Sequence, residues 1–417
     1  MRILLITQYF WPESFLVNDL AVGLSHYGHE VSVLTGVPNY PSGKFYPGYR
    51  CFPKDENYQG VRVLRVPLIP RGPATPLRLA LNYLSFALMA SLLLPWKYRQ
   101  RPDAVIVFQP SPVTVGIPAL VVRALRGSPI YFWVQDLWPD CLELTGIGAA
   151  AWQTRCIDRF VRWLYARCYR VLVQSSGFAE YVRIQGVPES KIVWMPNWAD
   201  SFYQPVVLEE AASELRELPS GFRVIYGGNI GEAQGWRTWV EAATYTQHRS
   251  DIHWVIIGGG RQQQALAAEV ERRGLHGTVH LLGPRPATAM PRYFAAADAL
   301  LVTLRRSPAL ARTIPSKVQA YLACGRPIVA ALDGDGGEVI RGAEAGIVVP
   351  AENAQQLATA VLRMAAMPGA ERAAMGCRAR AYYEANFSRE QLLYRWHKLL
   401  TENPSRNVEL ERKRCAA

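Results

Sequence analysis

The sequence predicts an α/β fold built from two doubly wound, Rossmann-like domains. Short apolar runs of strand length alternate with longer amphipathic segments, which is the pattern of βαβ units around a parallel sheet. The alternation restarts near residue 220, and 417 residues suffice for two domains of about 100–200 residues each. Half of the residues are hydrophobic and 19% are charged, so both domains can form full cores.

In the first half, each predicted strand is a short run rich in aliphatic or aromatic residues. We expect strands at Arg2 to Thr7, Glu30 to Thr35, Val61 to Val66, Ala104 to Phe108, Pro129 to Val134, Tyr169 to Gln174 and Lys191 to Met195. A helix is expected over Asn18 to His26, because Asp19 lies near its start and Gly28 follows its end.

The second half repeats this pattern. We expect strands at Phe222 to Tyr226, His253 to Ile257, Val279 to Leu282, Ala299 to Val302 and Pro327 to Ala330. We expect helices at Trp236 to Ala243, Gln262 to Arg273, Val318 to Ala323, Ala354 to Met364 and Gly369 to Ala385. Residues 196–218 show little periodicity, so the domains should be 1–198 and 199–385. Open α/β sheets bind ligands outside the carboxyl ends of their strands, so two facing sheets would share an interdomain cleft.

The net charge of +12 favours an anionic partner, such as an anionic membrane surface or a phosphorylated substrate. No zinc-finger, RNA-recognition or base-reading helical motif occurs, so nucleic acid is not the expected partner. The seven cysteines form no CxxC pair, which indicates free thiols in a reducing compartment. Neither Cys nor His shows metal-ligand spacing, so a zinc site is not expected. The N-terminal MRILLITQYFWPE lacks the features of a signal peptide, so a cytoplasmic location is expected.

An uncharged apolar stretch runs from Leu79 to Leu94. As a helix, its 16 residues would reach about 24 Å, short of the ~30 Å hydrocarbon core of a bilayer. Basic residues flank it at Arg71, Arg78, Lys97, Arg99 and Arg101. Two interpretations remain open: a helix in the membrane surface with its basic flanks on anionic headgroups, or a helix buried against the first sheet.

Two glycine-rich turns follow predicted strands of the second half, YGGNIGEAQG (226–235) and IGGG (257–260). Glycine lets the backbone approach a phosphate closely, and a following helix N-terminus offers free N–H groups. Gly228 and Gly259 are therefore candidate diphosphate-binding residues, although a tight strand-to-helix connection also favours glycine. Neither turn is GxGxxG, so a nicotinamide dehydrogenase is not supported.

The segment IPSKVQAYLACGRP contains a third candidate, Lys317. Pro315 and Ser316 can begin a helix, with Ser316 as its cap. Lys317 would then lie in the first turn, where the helix dipole mildly disfavours a cation and an anion would be welcome. The alternative is a solvated surface lysine.

Residues at strand ends in the first half form another set of candidates. Asp136, in WVQDLWPD, could bind sugar hydroxyls or accept a proton, or it could cap a helix. Tyr9 and Trp11 in QYFWPE, and Tyr40 in PNYPSG, lie on strand-end loops. Such aromatics suit a sugar face or a lipid, and the alternative is hydrophobic closure of the sheet edge.

Taken together, these segments resemble the retaining glycosyltransferases of family 4, which have the two-domain GT-B fold. The resemblance rests on QYFWPE, GHEVSVLTGVPNYPSGKFYPGY, VQDLWPD, MPNWAD, YGGNIGEAQG, IPSKVQAYLACGRPIVA and GIVVP. In detail it is greatest to bacterial enzymes of O-antigen and colanic acid assembly, particularly WbuB-like N-acetyl-L-fucosamine transferases.

The resemblance implies a nucleotide-sugar donor in the second domain and an acceptor in the first, with segment 386–417 crossing back to the first domain. It implies no cofactor and no metal, because helix N-termini and basic side chains stabilise the leaving diphosphate in this fold. It also implies retention of the anomeric configuration without a stable covalent intermediate. The acceptor-binding residues would be Tyr9, Trp11, Glu13, Asn39 and Tyr40.

The sequence departs from the family pattern where the donor is handled. Asn229 and Gln234 occupy positions where the family often has an Arg and a Lys facing the diphosphate. Arg312 and Ala320 occupy the positions of two glutamates separated by seven residues. Positive charge is then expected from Arg285, Arg305, Arg312 and Lys317.

The expected function is transfer of a hexose or N-acetylated deoxyhexose from a UDP-sugar to an undecaprenyl-diphosphate-linked saccharide at the cytoplasmic membrane. Asp136 and Lys317 would be catalytic. The donor-binding residues would be Gly228, Asn229, Gln234, Gly259, Arg285, Pro315, Ser316 and Lys317. A sugar-nucleotide 2-epimerase of the same fold and a non-catalytic partner subunit remain alternatives.

Overall fold

The computed structural model describes residues 1–73, 75–144 and 150–402, and its chain divides into two compact units. The first unit contains Met1–Gln174, Phe178–Pro196 and the residues from Glu390 onward. The second unit contains Ser175–Gly177 and Asn197–Arg389.

Strands and helices alternate along both units. In chain order the strands are β1 (Arg2–Ile6), β2 (Glu30–Gly36), β3 (Glu56–Tyr58), β4 (Val61–Val66), β5 (Ala104–Gln109), β6 (Ile130–Val134), β7 (Arg170–Val173), β8 (Ile192–Trp194), β9 (Phe222–Gly227), β10 (Ile252–Ile257), β11 (Val279–Gly283), β12 (Ala299–Thr303), β13 (Ile328–Ala331) and β14 (Gly346–Val349). The helices are α1 (Leu16–His26), α2 (Pro76–Lys97), α3 (Gly116–Arg126), α4 (Cys141–Leu144), α5 (Ala151–Arg167), α6 (Ser176–Ile184), α7 (Ala212–Leu215), α8 (Trp236–Thr246), α9 (Gln263–Arg272), α10 (Met290–Ala295), α11 (Pro308–Ala311), α12 (Ser316–Ala323), α13 (Asp335–Gly342), α14 (Ala354–Ala366), α15 (Gly369–Asn386) and α16 (Arg389–Thr401).

The sheet of the first unit has the order β3-β4-β2-β1-β5-β6-β7-β8, and all of its neighbours are parallel except β3 and β4. Successive side chains of a strand point to opposite faces. Leu94 of α2, Val122 of α3 and Leu164 of α5 pack with Phe132 in one core cluster. These three helices therefore cover the same face of the sheet.

The opposite face of this sheet packs against α16, the last helix in the described part of the chain. Trp133, the neighbour of Phe132 on β6, packs edge-to-face against Trp396 of α16 with ring centroids 5.3 Å apart. Both indoles are fully buried. His397 of α16 lies 3.0 Å from His29 through their ring nitrogens, which ties the helix to the start of β2.

The sheet of the second unit has the order β11-β10-β9-β12-β13-β14, and every neighbouring pair is parallel. Its strands are buried on both faces, as expected for a parallel sheet covered by helices. Strand order reverses between β9 and β12, which makes the carboxyl ends of these two strands the ligand-binding position of such a sheet. The prediction of two Rossmann-like α/β domains with parallel sheets is confirmed.

The predicted strands agree with the observed ones to within two residues at each end. Several elements have no counterpart among the predictions, namely β3, β14, α3, α4, α5, α6, α7, α10, α11 and α13. Ser316 does not cap α12 as predicted: it is the first residue of the helix, and Pro315 occupies the cap position without a side-chain hydrogen bond.

Helix α2 is longer than predicted, with 22 residues, or about 33 Å of helix. By length and composition it could cross a membrane. One face packs on the first sheet through Phe86, Ala90 and Leu94, which are buried. The other face is an exposed apolar stripe, formed by Leu77, Leu81, Leu84, Leu88, Leu92 and Trp96. The buried face of α2 thus agrees with a helix packed on the first sheet, and the exposed apolar face is what a helix in the membrane surface would need.

This two-faced packing predicts unequal costs for truncating neighbouring apolar residues of α2. Phe86 is 0% exposed and Leu88 is 59% exposed. Phe86→Ala should lower the free energy of unfolding by about 3–5 kcal/mol, because it removes buried contacts and leaves a cavity. Leu88→Ala should change it by roughly 0.5 kcal/mol or less. Urea unfolding of both variants checks this, and equal losses would mean that α2 is buried on both faces.

Candidate active site

Two glycine turns of the second unit lie side by side at the carboxyl ends of β9 and β10. Gly228 has φ of +124° and lies exposed at the end of β9. A Cβ on Gly258 would lie 1.8 Å from the Gly228 carbonyl oxygen, so only glycine permits this approach. The Gly228 N–H donates to Ile257 O, and the Ile230 N–H donates to Gly259 O. Two predicted donor residues, Gly228 and Gly259, are therefore brought together.

Lys317, in the first turn of α12, lies against the Gly228 turn. Its Nζ donates to Oε1 of Gln234 over 2.6 Å and lies 4.8 Å from the centre of the Tyr226 ring. A Cβ on Gly228 would be only 3.0 Å from Cε of Lys317. Burial lowers the pKa of Lys317 to about 8, since the enclosing protein disfavours the charged form. Lys317 is therefore not a solvated surface lysine.

Tyr226 also contributes to this site, and it was not among the predicted site residues. It is buried at the end of β9, and its hydroxyl donates to the Asn229 carbonyl over 2.6 Å. The same hydroxyl lies 3.3 Å from Gln234 Oε1. Tyr226 thus links both ends of the glycine turn beneath Lys317. An aromatic residue directly before Gly227-Gly228 was the available signal.

The other predicted donor residues have varied surroundings. Asn229 and Ser316 are both exposed, Asn229 in the glycine turn and Ser316 at the start of α12. Arg285 donates to Glu217 over 2.8 Å and to the Tyr293 hydroxyl over 3.0 Å. Arg305 forms ion pairs with two acidic side chains, Glu232 and Glu352. The backbone carbonyl of Arg312 accepts a hydrogen bond from the Ser175 hydroxyl, and Ala320 is buried.

In the first unit, a buried carboxylate joins two loops at the carboxyl ends of β1 and β2. Oε1 of Glu13 accepts the backbone N–H groups of Asn39 and Tyr40, each over 2.7 Å. Oε2 accepts the N–H of Phe10 over 3.3 Å. Burial raises the pKa of Glu13 to about 7 despite these hydrogen bonds. Within the free protein, Glu13 therefore positions the predicted acceptor loops.

The aromatic side chains of these loops gather around Arg71. The guanidinium of Arg71 donates to the Tyr9 hydroxyl over 2.6 Å and lies 5.1 Å from the centre of the Tyr40 ring. Its backbone N–H donates to Asn39 Oδ1. Tyr9 is buried, while Tyr40 is 39% exposed. Arg71, one of the basic residues that flank α2, therefore lies among the predicted acceptor residues.

Trp11 stacks on a different partner, Tyr58, with ring centroids 5.2 Å apart. Its carbonyl accepts a hydrogen bond from Arg65, whose side chain is fully buried. Arg65 also donates to the Gly36 carbonyl and pairs with Glu56 at 3.0 Å. A charged residue within the apolar strand VRVLRV was the signal for this role. Arg65 thus holds the backbone of Trp11 in place.

Asp136 lies in the loop after β6, partly buried. It does not cap a helix, because the next helix begins only at Cys141. Burial raises its pKa to about 7, which makes a proton-accepting role possible near neutral pH. Within residues 1–73, 75–144 and 150–402, no group of three or more His, Cys, Asp or Glu residues could hold a metal ion.

The family comparisons agree with this arrangement of two domains. Residues 16–198 match the model described as Glycosyl transferase 4-like domain, and residues 221–367 match Glycosyl transferases group 1. Together with the fold, these matches define a glycosyltransferase of the GT-B superfamily. The predicted enzyme class and fold are confirmed at this level.

Individual relatives refine the comparison. The chain is 28% identical over 316 residues to the putative colanic acid biosynthesis glycosyl transferase WcaI of Escherichia coli K12, covering 74% of this chain and 76% of WcaI. Sucrose-phosphate synthase from Thermosynechococcus elongatus has a similar structure, with a TM-score of 0.73, 18% identity and coverage of 96% and 98% of the two chains. Anabaena HepE, solved in complex with UDP and glucose, has a TM-score of 0.68, 16% identity and coverage of 97% and 100%. The likeness to these two structures extends to the fold alone.

The raised pKa of Glu13 predicts a pH dependence of stability. A carboxyl whose folded pKa lies near 7 and whose unfolded pKa lies near the ordinary glutamate value of 4.5 binds protons more strongly in the folded state. Its contribution to stability is present below pH 4.5 and is lost as the pH rises to about 7. Wild-type protein should lose up to ~3 kcal/mol more than Glu13→Gln between these limits. Denaturant unfolding across the range tests this, with the exposed Glu209→Gln as control. Parallel profiles for wild type and Glu13→Gln would contradict it.

Proposed function

We propose that this glycosyltransferase moves a sugar from a nucleotide-sugar donor to a polyprenyl-diphosphate-linked saccharide in bacterial polysaccharide assembly. The donor is a UDP-sugar carrying a hexose or an N-acetylated deoxyhexose such as N-acetyl-L-fucosamine. The reaction is retaining and needs no metal. The enzyme works as a peripheral protein on the cytoplasmic face of the membrane.

The observation that carries this proposal is the position of Lys317. Its ammonium lies beside the exposed Gly228 turn, at the strand ends where a doubly wound sheet binds its ligand. An enclosed cation next to open backbone is suited to a diphosphate, because electrostatic attraction is strong where water is excluded. Gln234 holds the ammonium in place in the free protein.

In the proposed reaction, the bond between the anomeric carbon and the diphosphate oxygen breaks. The acceptor hydroxyl forms the new bond on the same face of the sugar, and its proton passes to the departing diphosphate. Lys317 stabilises the negative charge that develops on the leaving group. Asp136 orients sugar hydroxyls, or it accepts the hydroxyl proton in place of the diphosphate, for which a pKa near 7 is suitable.

The acceptor binds to the first unit in this proposal. Tyr40 and Trp11 are both more than one-third exposed at the ends of β1 and β2, where their rings are available to a sugar face. Glu13 and Asn39 hold the loops that carry them. The name of the WcaI relative supports polysaccharide assembly, and the UDP complex of HepE supports a UDP-linked donor.

A donor panel tests the proposed function. Purified enzyme is incubated with UDP- and GDP-linked sugars and a lipid-linked N-acetylglucosamine acceptor, with and without EDTA. We expect transfer from a UDP-sugar that is unchanged by EDTA. Donor conversion without any acceptor would indicate an epimerase instead, and neither transfer nor donor hydrolysis would indicate a non-catalytic subunit.

Removing the Lys317 ammonium should impair the chemical step. Lys317→Ala should lower kcat by about 10²–10³, the usual cost of one charge-stabilising donor. In wild type, kcat/KM for the donor should fall above about pH 8 as the free enzyme loses this charge. In Lys317→Arg, this fall in kcat/KM should move to higher pH, because arginine stays protonated.

Lys398→Ala removes an exposed ammonium from α16 and is the matched control. It should leave both kcat and the pH profile unchanged. Wild-type turnover in Lys317→Ala would remove this residue from the site.

The exposed stripe of α2 is the proposed membrane contact. It presents six large apolar side chains and no charge, while the opposite face of the helix holds the first sheet. A helix with this packing lies along a membrane surface with its stripe among the acyl chains. The lipid-linked acceptor would then be presented at the same surface.

Charge on the α2 stripe should release the enzyme from membranes. Leu88→Asp combined with Leu92→Asp should weaken binding to phospholipid vesicles at least tenfold, because both leucines bury apolar area in the bilayer. Folding should persist, since both residues are more than half exposed. Leu208→Asp with Leu281→Asp, two exposed leucines of the second unit, is the control. Unchanged vesicle sedimentation of the α2 variant would refute the contact.

A further inference from the structure

Three of the five basic residues that flank α2 are engaged within the protein. Arg71 bonds to Tyr9, and Arg78 donates to the Pro70 carbonyl over 3.0 Å. Lys97 forms an ion pair with Asp55 at 2.5 Å. Headgroup binding by the basic flanks was one of two open interpretations of this segment, and it stays a prediction. Of the flanking residues, Arg99 is exposed. Stronger attraction to an anionic surface needs a further source of positive charge.

Helix α5 carries such a source. Trp152, Arg155, Arg159, Arg162, Trp163 and Arg167 recur every three or four residues, so they share one face of the helix. All six are exposed, with Trp152 at 65% and Trp163 at 44%. Val161 and Leu164, on the opposite face, are buried in the core of the first unit.

The charge of this face is almost entirely positive. Asp158 is the single acidic residue of α5, and it pairs with Arg162 at 2.9 Å. The guanidinium of Arg167 lies over the Trp163 ring, 4.1 Å from its centre. Within the part of the chain that the structure describes, no ion pair involves Arg155 or Arg159. These two arginines are available to an external anion.

The α5 face and the α2 stripe belong to one layer of the first unit. Helices α2, α3 and α5 connect successive strands β4, β5, β6 and β7, and all three pack on the same face of the sheet. Their outer sides therefore point away from the same face of the sheet, with α3 between the apolar stripe of α2 and the basic, aromatic face of α5. Tryptophan prefers the membrane–water interface, and arginine binds lipid phosphates.

We propose that the exposed face of α5 is a second membrane contact, which binds anionic phospholipid headgroups beside the apolar contact of α2. This inference rests on the peripheral membrane location in the proposed function and names the lipid class that would be recognised. Two contacts on separate helices also fix how the first unit is oriented on the surface, which one amphipathic helix cannot do.

Vesicle binding tests this with a double variant, Arg155→Gln with Arg159→Gln. Each arginine near an anionic surface contributes about fivefold to binding, so the variant should bind phosphatidylglycerol-containing vesicles ~25-fold more weakly. Binding to pure phosphatidylcholine vesicles should hardly change. Raising the salt from about 0.1 M should weaken wild type toward the variant, because screening acts on the arginines. On pure phosphatidylcholine vesicles, the loss of binding in the α2 variant should be insensitive to salt, because those vesicles carry no net charge.

Arg363→Gln with Arg378→Gln removes the same charge from exposed positions of the second unit and should bind as wild type does. The inference is overturned if the α5 variant retains wild-type affinity for anionic vesicles. It is also overturned if wild-type protein forms a dimer that the variant does not, or binds short RNA more tightly than the vesicles. Transfer to a soluble acceptor should be equal in the α5 variant and in the control variant. If no protein, wild type included, transferred sugar to a soluble acceptor, that result would count against the proposed function. The vesicle measurements would still decide whether α5 binds lipid.

Discussion

The proposed donor site of the second unit depends on how closely two backbone turns approach each other. The carbonyl of Gly228 occupies the space that a side chain at Gly258 would need, so this approach requires glycine at position 258. Gly228 is exposed at the end of β9 and lies against Lys317 in the first turn of α12. The ammonium of Lys317 has Gln234 and Tyr226 as neighbours. The proposed diphosphate site thus combines open backbone with an enclosed cation.

The first unit positions its loops by another means, namely buried charge. Glu13 accepts N–H groups from the loops after β1 and β2, and Arg65 donates to carbonyls of the same two regions. Buried charges are costly unless they are fully hydrogen-bonded, so these loops are held in one arrangement. The exposed aromatic rings Trp11 and Tyr40 are therefore presented on a rigid backbone.

The positions of most strands could be predicted from sequence because buried parallel strands are short, continuous apolar runs. The glycine turns and Lys317 could be predicted as a group for a related reason: they follow such strands directly. Arg71 could not be placed, because its partners Tyr9 and Tyr40 come from loops far away in sequence. Helix α2 posed a similar difficulty, since its apolar residues are equally hydrophobic on the covered and the uncovered face. Only the packing of the sheet distinguishes Phe86 from Leu88.

The return of α16 to the first unit has a consequence for how the chain folds during synthesis. Trp396 covers Trp133, and His397 meets His29, yet these partners are separated by more than half of the sequence. A ribosome has translated residues 1–388 before α16 emerges. Until then, the face of the N-terminal sheet that carries Trp133 lacks part of its cover. The nascent N-terminal half therefore completes its core last, although it is made first.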